Sequence, residues 1–273
     1  MTASMQLFDG RVAVVGGGVM GEAVVRGWID AGAVAADRFT IVEPSPERRE
    51  QLTASLGEVR AVPTGEDAFP AELVVLAVKP QVIDAVAAQL SPMLGGSLVV
   101  SIAAGASTAR LESLLPAGTR VVRVMPNTPA MVGAGMAVVS GGGEASEEDV
   151  ESVRALFDVL GQAITLEEKY QNAATAVSGS GPAYFALIVD GLARAGVAAG
   201  LTRSVAQALA VQTMLGTATM LQSTGMHPEA LVDSVASPGG TTIAAIGALE
   251  AGGVRTALAE AVKAAVARAE ELG

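Results

Sequence analysis

The chain contains no cysteine and a single histidine among its 273 residues. Without cysteine there is no disulfide framework, no thiolate nucleophile and no thiolate metal site. With His227 alone, a multi-histidine metal site or a Ser-His-Asp triad is hard to build. Aromatic residues make up 3% and charged residues 16%. The 17 Lys+Arg stand against 28 Asp+Glu, a net charge of −11 with no basic block. Such a chain repels a phosphate backbone, so no nucleic-acid partner is expected. A long apolar span is also missing. The longest charge-free stretch, 204–227, carries Gln207, Gln212, Thr213, Thr217, Thr219, Gln222 and Ser223, too polar to face lipid. No membrane partner is expected either. Arg11, the apolar run 12–25 and Ala33-Val34-Ala35 imitate a secretion signal. Glu22 and Arg26 interrupt it, and its glycines do not suit a helical signal core. The expectation is a cytoplasmic protein.

What is abundant is small apolar residues. Apolar residues reach 51%, enough buried surface to exclude disorder, and the length fits one large or two ordinary domains. Continuous, largely β-branched runs at 12–15, 39–42, 73–78, 98–102, 121–125, 135–140 and 163–166 read as strands covered on both faces. Helical patterns near 19–31, 46–56, 81–90, 107–115 and 147–160 lie between them, with Ser107 and Ser146 as caps. This alternation predicts an α/β fold, a doubly wound parallel sheet. From about residue 167 the strand-like runs stop. Helices are expected from Pro182 to Gly200, 203–222, a short one from Pro228, 241–250 and 254–272. The reading is a Rossmann-like dinucleotide-binding domain over 1–166 and an all-helical domain over 167–273.

Val12-Ala13-Val14-Val15-Gly16-Gly17-Gly18-Val19-Met20-Gly21 places Gly16-x-Gly18-x-x-Gly21 between a strand and a helix. Gly16 makes the turn, Gly18 admits a pyrophosphate to the backbone, and Gly21 lets the helix pack on the strand. The helix N-terminus adds amides and the positive end of its dipole. An acid, Glu43, ends the next strand about 20 residues on, as the fingerprint requires. A carboxylate there accepts from the adenosine ribose and repels a 2′-phosphate. Ser45, Arg48 and Arg49 follow, and hold that phosphate only if Glu43 turns away. The balance leans to NADH without excluding NADPH.

Three further loops carry polar groups. Ala77-Val78-Lys79-Pro80 sits at the carboxyl end of a strand, the edge where open sheets bind ligands. Lys79 is there either an exposed turn residue or a ligand-facing cation. In Met125-Pro126-Asn127-Thr128-Pro129, Asn127 either caps its turn or faces the nicotinamide. Ser237-Pro238-Gly239-Gly240-Thr241-Thr242 leads into a helix with two glycines and two hydroxyls, an anion site in outline. A second Gly/Ser loop, Val177-Ser178-Gly179-Ser180-Gly181-Pro182, opens another helix. His227 before Pro228 reads as a cap or surface residue rather than a catalytic acid.

Together these segments resemble the pyrroline-5-carboxylate reductase family along nearly the whole chain. The loops at 177–182 and 237–242 are its most specific marks. The resemblance implies reduction of a cyclic imine carrying a carboxylate, with NADPH or NADH, to give L-proline. It implies a helical domain that interlocks with its twin into a homodimer, and further a pentamer of dimers, a decamer. On this sequence the cofactor set would be Gly16, Gly17, Gly18, Val19, Met20, Gly21, Glu43, Ser45, Ala77, Val78, Lys79, Pro80 and Asn127. The substrate set would be Ser237, Gly239, Gly240, Thr241, Thr242 and Ser180, with Thr242 as the catalytic hydroxyl near the ring nitrogen. Glu43 departs from the small or basic residue that many relatives carry. No metal is implied.

Two rivals remain at this stage. Two-domain hydroxy-acid reductases present a lysine on the first helix of their second domain, and the corresponding segment 183–198 has none. A dinucleotide sensor would not need the loop at 237–242. The surplus of small apolar residues reads as a helical surface covered by a second copy of the chain.

Overall fold

The structure is a computed structural model that describes residues 6–272. The chain divides into two compact units: one runs through Ser180 and includes the tail from Ala265, and the other is Gly181–Ala264.

In the first unit the chain alternates strand and helix. The elements are β1 (Val12–Val15), α1 (Val19–Asp30), β2 (Phe39–Val42), α2 (Pro46–Leu56), β3 (Arg60–Val62) and β4 (Leu73–Leu76). They continue with α3 (Ile83–Leu90), β5 (Leu98–Ser101), α4 (Thr108–Leu114), β6 (Val121–Met125), β7 (Gly135–Gly141), α5 (Glu147–Asp158) and β8 (Gly161–Thr165). One eight-stranded sheet results, in the order β3-β2-β1-β4-β5-β6-β7-β8. Its strand order reverses between β1 and β4, and an open sheet offers its ligand crevice at such a switch point. Val15 is in register with Val42 on one side and Leu76 on the other, so three strands end level at that crevice.

The central strands β1 and β4 are apolar and buried at every position because helices cover both faces. Val14 points into a core with Trp28, Phe39, Leu52 and Phe157. Its neighbours Ala13 and Val15 point the other way, toward Ile83, Leu90 and Leu111. Trp28 and Phe157 meet edge to face at 5.4 Å between ring centroids. The stretch that imitates a secretion signal is β1, the glycine turn and α1.

The sheet departs from the expected one in two places. β3 is an additional three-residue edge strand, too short and too polar at Arg60 to stand out in the sequence. β7 runs antiparallel to β6. The connection between them, residues 126–134, holds only the single 3-10 turn Thr128–Val132, whereas a parallel return needs a crossover of a dozen residues or more.

The segment after β8 continues with α6 (Gln171–Ala174) and a π-helical turn, Thr175–Gly179. The Gly/Ser stretch expected as a loop is therefore mostly helical. It is also tied to the sheet. The Glu168 carboxylate accepts from the Thr108 amide at 2.8 Å and from the buried Arg123 at 3.2 Å. Gln171, fully buried, donates to the Val138 carbonyl at 3.1 Å. These bonds carry the first compact unit past the expected boundary at 166/167.

The second unit is helical: α7 (Gly181–Ala198), α8 (Arg203–Thr224), α9 (Pro228–Val235), α10 (Thr241–Ala251), and α11 (Val254–Leu272), which runs on into the tail. α7 and α8 approach through small residues, with Ala193, Ala206 and Ala210 buried. Asp190 pairs with Arg194 at 2.6 Å and with Arg203 across the turn. Arg255 joins Glu229 and Glu250. Large apolar side chains stay outside: Leu187 is 74% exposed, Leu215 58% and Leu249 55%. Among the described residues, no helix is long and apolar enough to cross a membrane.

Phe157→Ala should lower unfolding stability by about 3–5 kcal/mol, because it removes a ring from a filled core. Chemical denaturation followed by circular dichroism checks this, and a loss under about 1 kcal/mol would contradict the packing role.

Candidate dinucleotide groove and anion loop

The groove begins where β1 ends. Gly16 adopts φ 110°, and a Cβ there would lie 2.7 Å from the Ala77 carbonyl oxygen. A Cβ on Gly21 would lie 2.2 Å from the Gly16 carbonyl oxygen. The protein's own packing thus demands both glycines. Gly18 is different, because nothing lies within 4 Å of its Cβ position. It precedes α1 as the N-cap with no side-chain cap. The first amides of α1 face an open space that only a small residue leaves clear, a cradle of the kind a pyrophosphate occupies. A groove of about 340 Å³ adjoins it, lined by Gly18, Val19, Glu22, Ala23, Arg26, Arg48 and Met131. Val19 is exposed at its mouth, and Met20 packs inward on the core.

Glu43 does not turn away. Its carboxylate accepts from the Gly17 amide at 3.2 Å and from the Ser45 amide at 3.0 Å. Ser45 caps α2, its hydroxyl accepting from the Arg48 amide at 3.2 Å. Arg48 donates from Nε to the Gly17 carbonyl at 2.7 Å and pairs with Glu22 at 2.5 Å. Arg26 pairs with the other Glu22 oxygen at 2.7 Å. Burial raises the Glu22 carboxyl, but hydrogen bonds from Arg26, Arg48 and Ser55 outweigh it and hold the pKa below the ordinary 4.5. The Glu22 knot escaped the sequence reading. Its only trace there is Arg26 one helical turn after Glu22.

Ala77 donates its amide to the Val15 carbonyl at 2.8 Å, fastening the second loop to the glycine turn. Val78 packs on the core beneath. Lys79 precedes the short turn Pro80–Val82 and is exposed, without an ion pair among the described residues. Asn127 is buried, and its amide serves the protein. Nδ2 donates to the Ser178 carbonyl at 3.0 Å, and Oδ1 accepts from the Met136 amide at 2.9 Å. Asn127 therefore anchors the π-helical turn. Ser180 ends that turn, its amide donating to the Thr175 carbonyl at 2.9 Å.

The loop at 237–242 belongs to the helical unit. Gly239 has φ 67°, and the Gly240 amide donates to the Ser237 carbonyl at 3.0 Å, closing a tight turn. Gly240 is the N-cap of α10 and brings no capping side chain. The first-turn amides of α10 therefore stand beside the Thr241 and Thr242 hydroxyls, with Thr241 exposed and Thr242 half-buried. Neutral donors gathered at the positive end of a helix suit a carboxylate. His227 caps α9, its Nδ1 accepting from the Glu229 amide at 3.3 Å. No cluster of metal-ligating side chains occurs among the described residues.

A doubly wound sheet with a bare glycine cradle, followed by a helical unit with an anion loop, has the build of a two-part NAD(P)-dependent oxidoreductase. Residues 168–272 match the family model for pyrroline-5-carboxylate reductase dimerisation. Residues 11–105 match the model described as NADP oxidoreductase, coenzyme F420-dependent. A pyrroline-5-carboxylate reductase of Synechocystis sp. is 42% identical over 264 residues, covering 96% of this chain and 98% of that protein. The solved structure of a pyrroline-5-carboxylate reductase from Coxiella burnetii superposes with a TM-score of 0.91 at 34% identity, covering 97% and 98% of the two chains. That of Plasmodium falciparum pyrroline carboxylate reductase, with NADP bound, gives 0.87 at 29% identity, covering 96% and 98%. The chain belongs to the pyrroline-5-carboxylate reductase family.

Gly18→Ala should leave the melting temperature nearly unchanged and weaken dinucleotide binding by roughly ten-fold or more, since the new methyl projects only into the cradle. Calorimetric titration of the folded variant with NADH checks it, and unaltered affinity would remove Gly18 from the cofactor site. Glu22 generates a second expectation. Because its folded-state pKa is depressed, its stabilising share is complete above the ordinary 4.5 and disappears as pH falls through the folded-state value. The stability gap between wild type and Glu22→Gln should be flat at neutral pH and shrink only in acid. Urea titrations across pH measure that gap.

Proposed function

We propose that this chain reduces the C=N bond of 1-pyrroline-5-carboxylate to give L-proline. The observation that carries the reading is the pair of uncapped helix N-termini behind glycines, at α1 and at α10. One suits the pyrophosphate of a dinucleotide and the other the carboxylate of a small substrate.

NAD(P)H, when bound, supplies the hydride that adds to C5 of the imine. Gly16, Gly18 and Gly21 with the α1 amides hold the dinucleotide, and Glu43 faces its ribose. The loop of Ser237, Gly239, Gly240, Thr241 and Thr242 holds the substrate carboxylate, with Ser180 as a further contact. The ring nitrogen already carries its proton when C5 gains the hydride. Such an imine is basic enough to arrive protonated, so no dedicated His or Glu acid is needed. Thr242 orients that nitrogen through its hydroxyl and is the catalytic side chain of this reading.

A homodimer formed through the helical unit is part of the same proposal. It rests on the match to the dimerisation model and on the leucines that α7, α8 and α10 leave uncovered. A pentamer of such dimers follows from the family resemblance. A cytoplasmic setting rests on the use of the would-be signal as β1 and α1. Sedimentation at micromolar concentration tests the assembly, and monomers there would defeat it.

Mixing the protein with pyrroline-5-carboxylate and either reduced cofactor should oxidise the cofactor, seen as a fall in absorbance. No oxidation with either would overturn the assignment. Thr242→Ala should lower kcat/KM for the imine by roughly 10–100-fold, the loss of one oriented hydrogen bond. Unchanged kinetics would remove Thr242 from the mechanism.

A further inference from the structure

NADPH differs from NADH by one phosphate on the adenosine ribose. A site that accepts it needs a cation free to meet it and no carboxylate in its place. Neither condition holds on the β2 side of this glycine turn, and Lys79, free of ion pairs among the described residues, follows β4, on the opposite side of β1. The Glu43 carboxylate is fixed by two backbone amides, of Gly17 at 3.2 Å and Ser45 at 3.0 Å. Each arginine of the neighbourhood is already engaged. Arg49 donates to the Glu43 carbonyl at 2.8 Å and the Pro44 carbonyl at 2.7 Å. Arg26 donates to Glu22 at 2.7 Å and to the Ser55 carbonyl at 3.1 Å.

Arg48 is the most firmly held. Nε donates to the Gly17 carbonyl at 2.7 Å, one Nη to Glu22 at 2.5 Å and the other to Gln51 at 3.2 Å. Gly17 is thus gripped at both polar groups, its amide by Glu43 and its carbonyl by Arg48. The Glu22 side chain is only 21% exposed and that of Arg48 28%, so water screens the pair less than it would a surface pair.

We propose that the chain prefers NADH to NADPH, and that Glu22, by holding Arg48 against the glycine turn, sets this preference together with Glu43. Discrimination then has two parts. Glu43 repels the extra phosphate, and Glu22 withholds the cation that would otherwise answer it. The inference rests on the dinucleotide site of the proposed reductase, but binding can be measured without the imine.

Calorimetric titration with NADH and with NADPH tests it. The wild-type protein should bind NADH tighter by on the order of ten-fold, the scale of a like-charge encounter in a groove open to water. Glu22→Gln should narrow that ratio several-fold, chiefly by strengthening NADPH. The double variant Glu22→Gln, Arg48→Gln should lose the gain, because the freed cation is its source. Glu43→Ser, which leaves the Glu22 knot intact, should narrow the ratio on its own. Equal or tighter NADPH binding by the wild type would overturn the preference. A folded Glu22→Gln with an unchanged ratio would remove Glu22 from specificity. If Glu22→Gln fails to fold, an unchanged ratio in Glu43→Ser would still overturn the electrostatic account. Binding of neither dinucleotide would sink the reductase reading itself, a separate result.

Discussion

At the carboxyl end of β1, the backbone of Gly16 lies so close to the Ala77 carbonyl that no side chain fits between them. That approach requires β1 and β4 to be neighbours in level register, which the order of the sheet provides. It requires a left-handed turn, which only glycine adopts without strain. It also aims the first turn of α1 across the crevice. The apolar strands, the two-faced core and the helices above and below can be understood as what keeps this one close approach in place.

A chain of net charge −11 that binds an anionic cofactor and an anionic substrate must build attraction locally. Lysine and arginine do not line the two cradles as free cations. At α1 and at α10 the ligand would instead meet amides and a helix dipole, fixed in direction and independent of pH in the neutral range. The arginines of the groove have a different task. Through Glu22, Gly17 and Glu43 they hold the turn in shape, and the acid among them keeps the cluster nearly neutral. The helical unit shows the opposite economy of charge: its bare leucines need a second apolar surface rather than water.

Much of this could be read from the residues alone because the determinants are local. The glycine spacing, the β-branched runs and the helix caps each act within a few positions, and they place the candidate groove and most elements. Four features escaped, three of them because they depend on partners distant along the chain. Edge strand β3 is stabilised by pairing with β2, not by its own sequence. The reversed direction of β7 follows from the shortness of the connection before it. The π-helical turn depends on Asn127 reaching from another loop, a bond between residues with no pattern to connect them. The hold of Glu168 and Gln171 on the sheet likewise moves the division between units, although the composition changes earlier. Within the site, the acid at Glu43 was legible, but its attachment to Gly17 and Ser45 was not.

Trp28 is the chain's only tryptophan, and it lies fully buried between Phe39 and Phe157 in the sheet unit, its indole N–H without an acceptor. Its emission should be that of an indole in a dry setting and should report on that unit alone. The helical unit carries no such chromophore, yet contributes long helices to the circular dichroism signal. Two optical signals of the unmodified protein therefore weigh its halves differently: tryptophan emission follows the sheet unit alone, and circular dichroism follows the helices of both. Their coincidence or separation during denaturation would tell whether the sheet and the helices lose their structure as one cooperative body or as two.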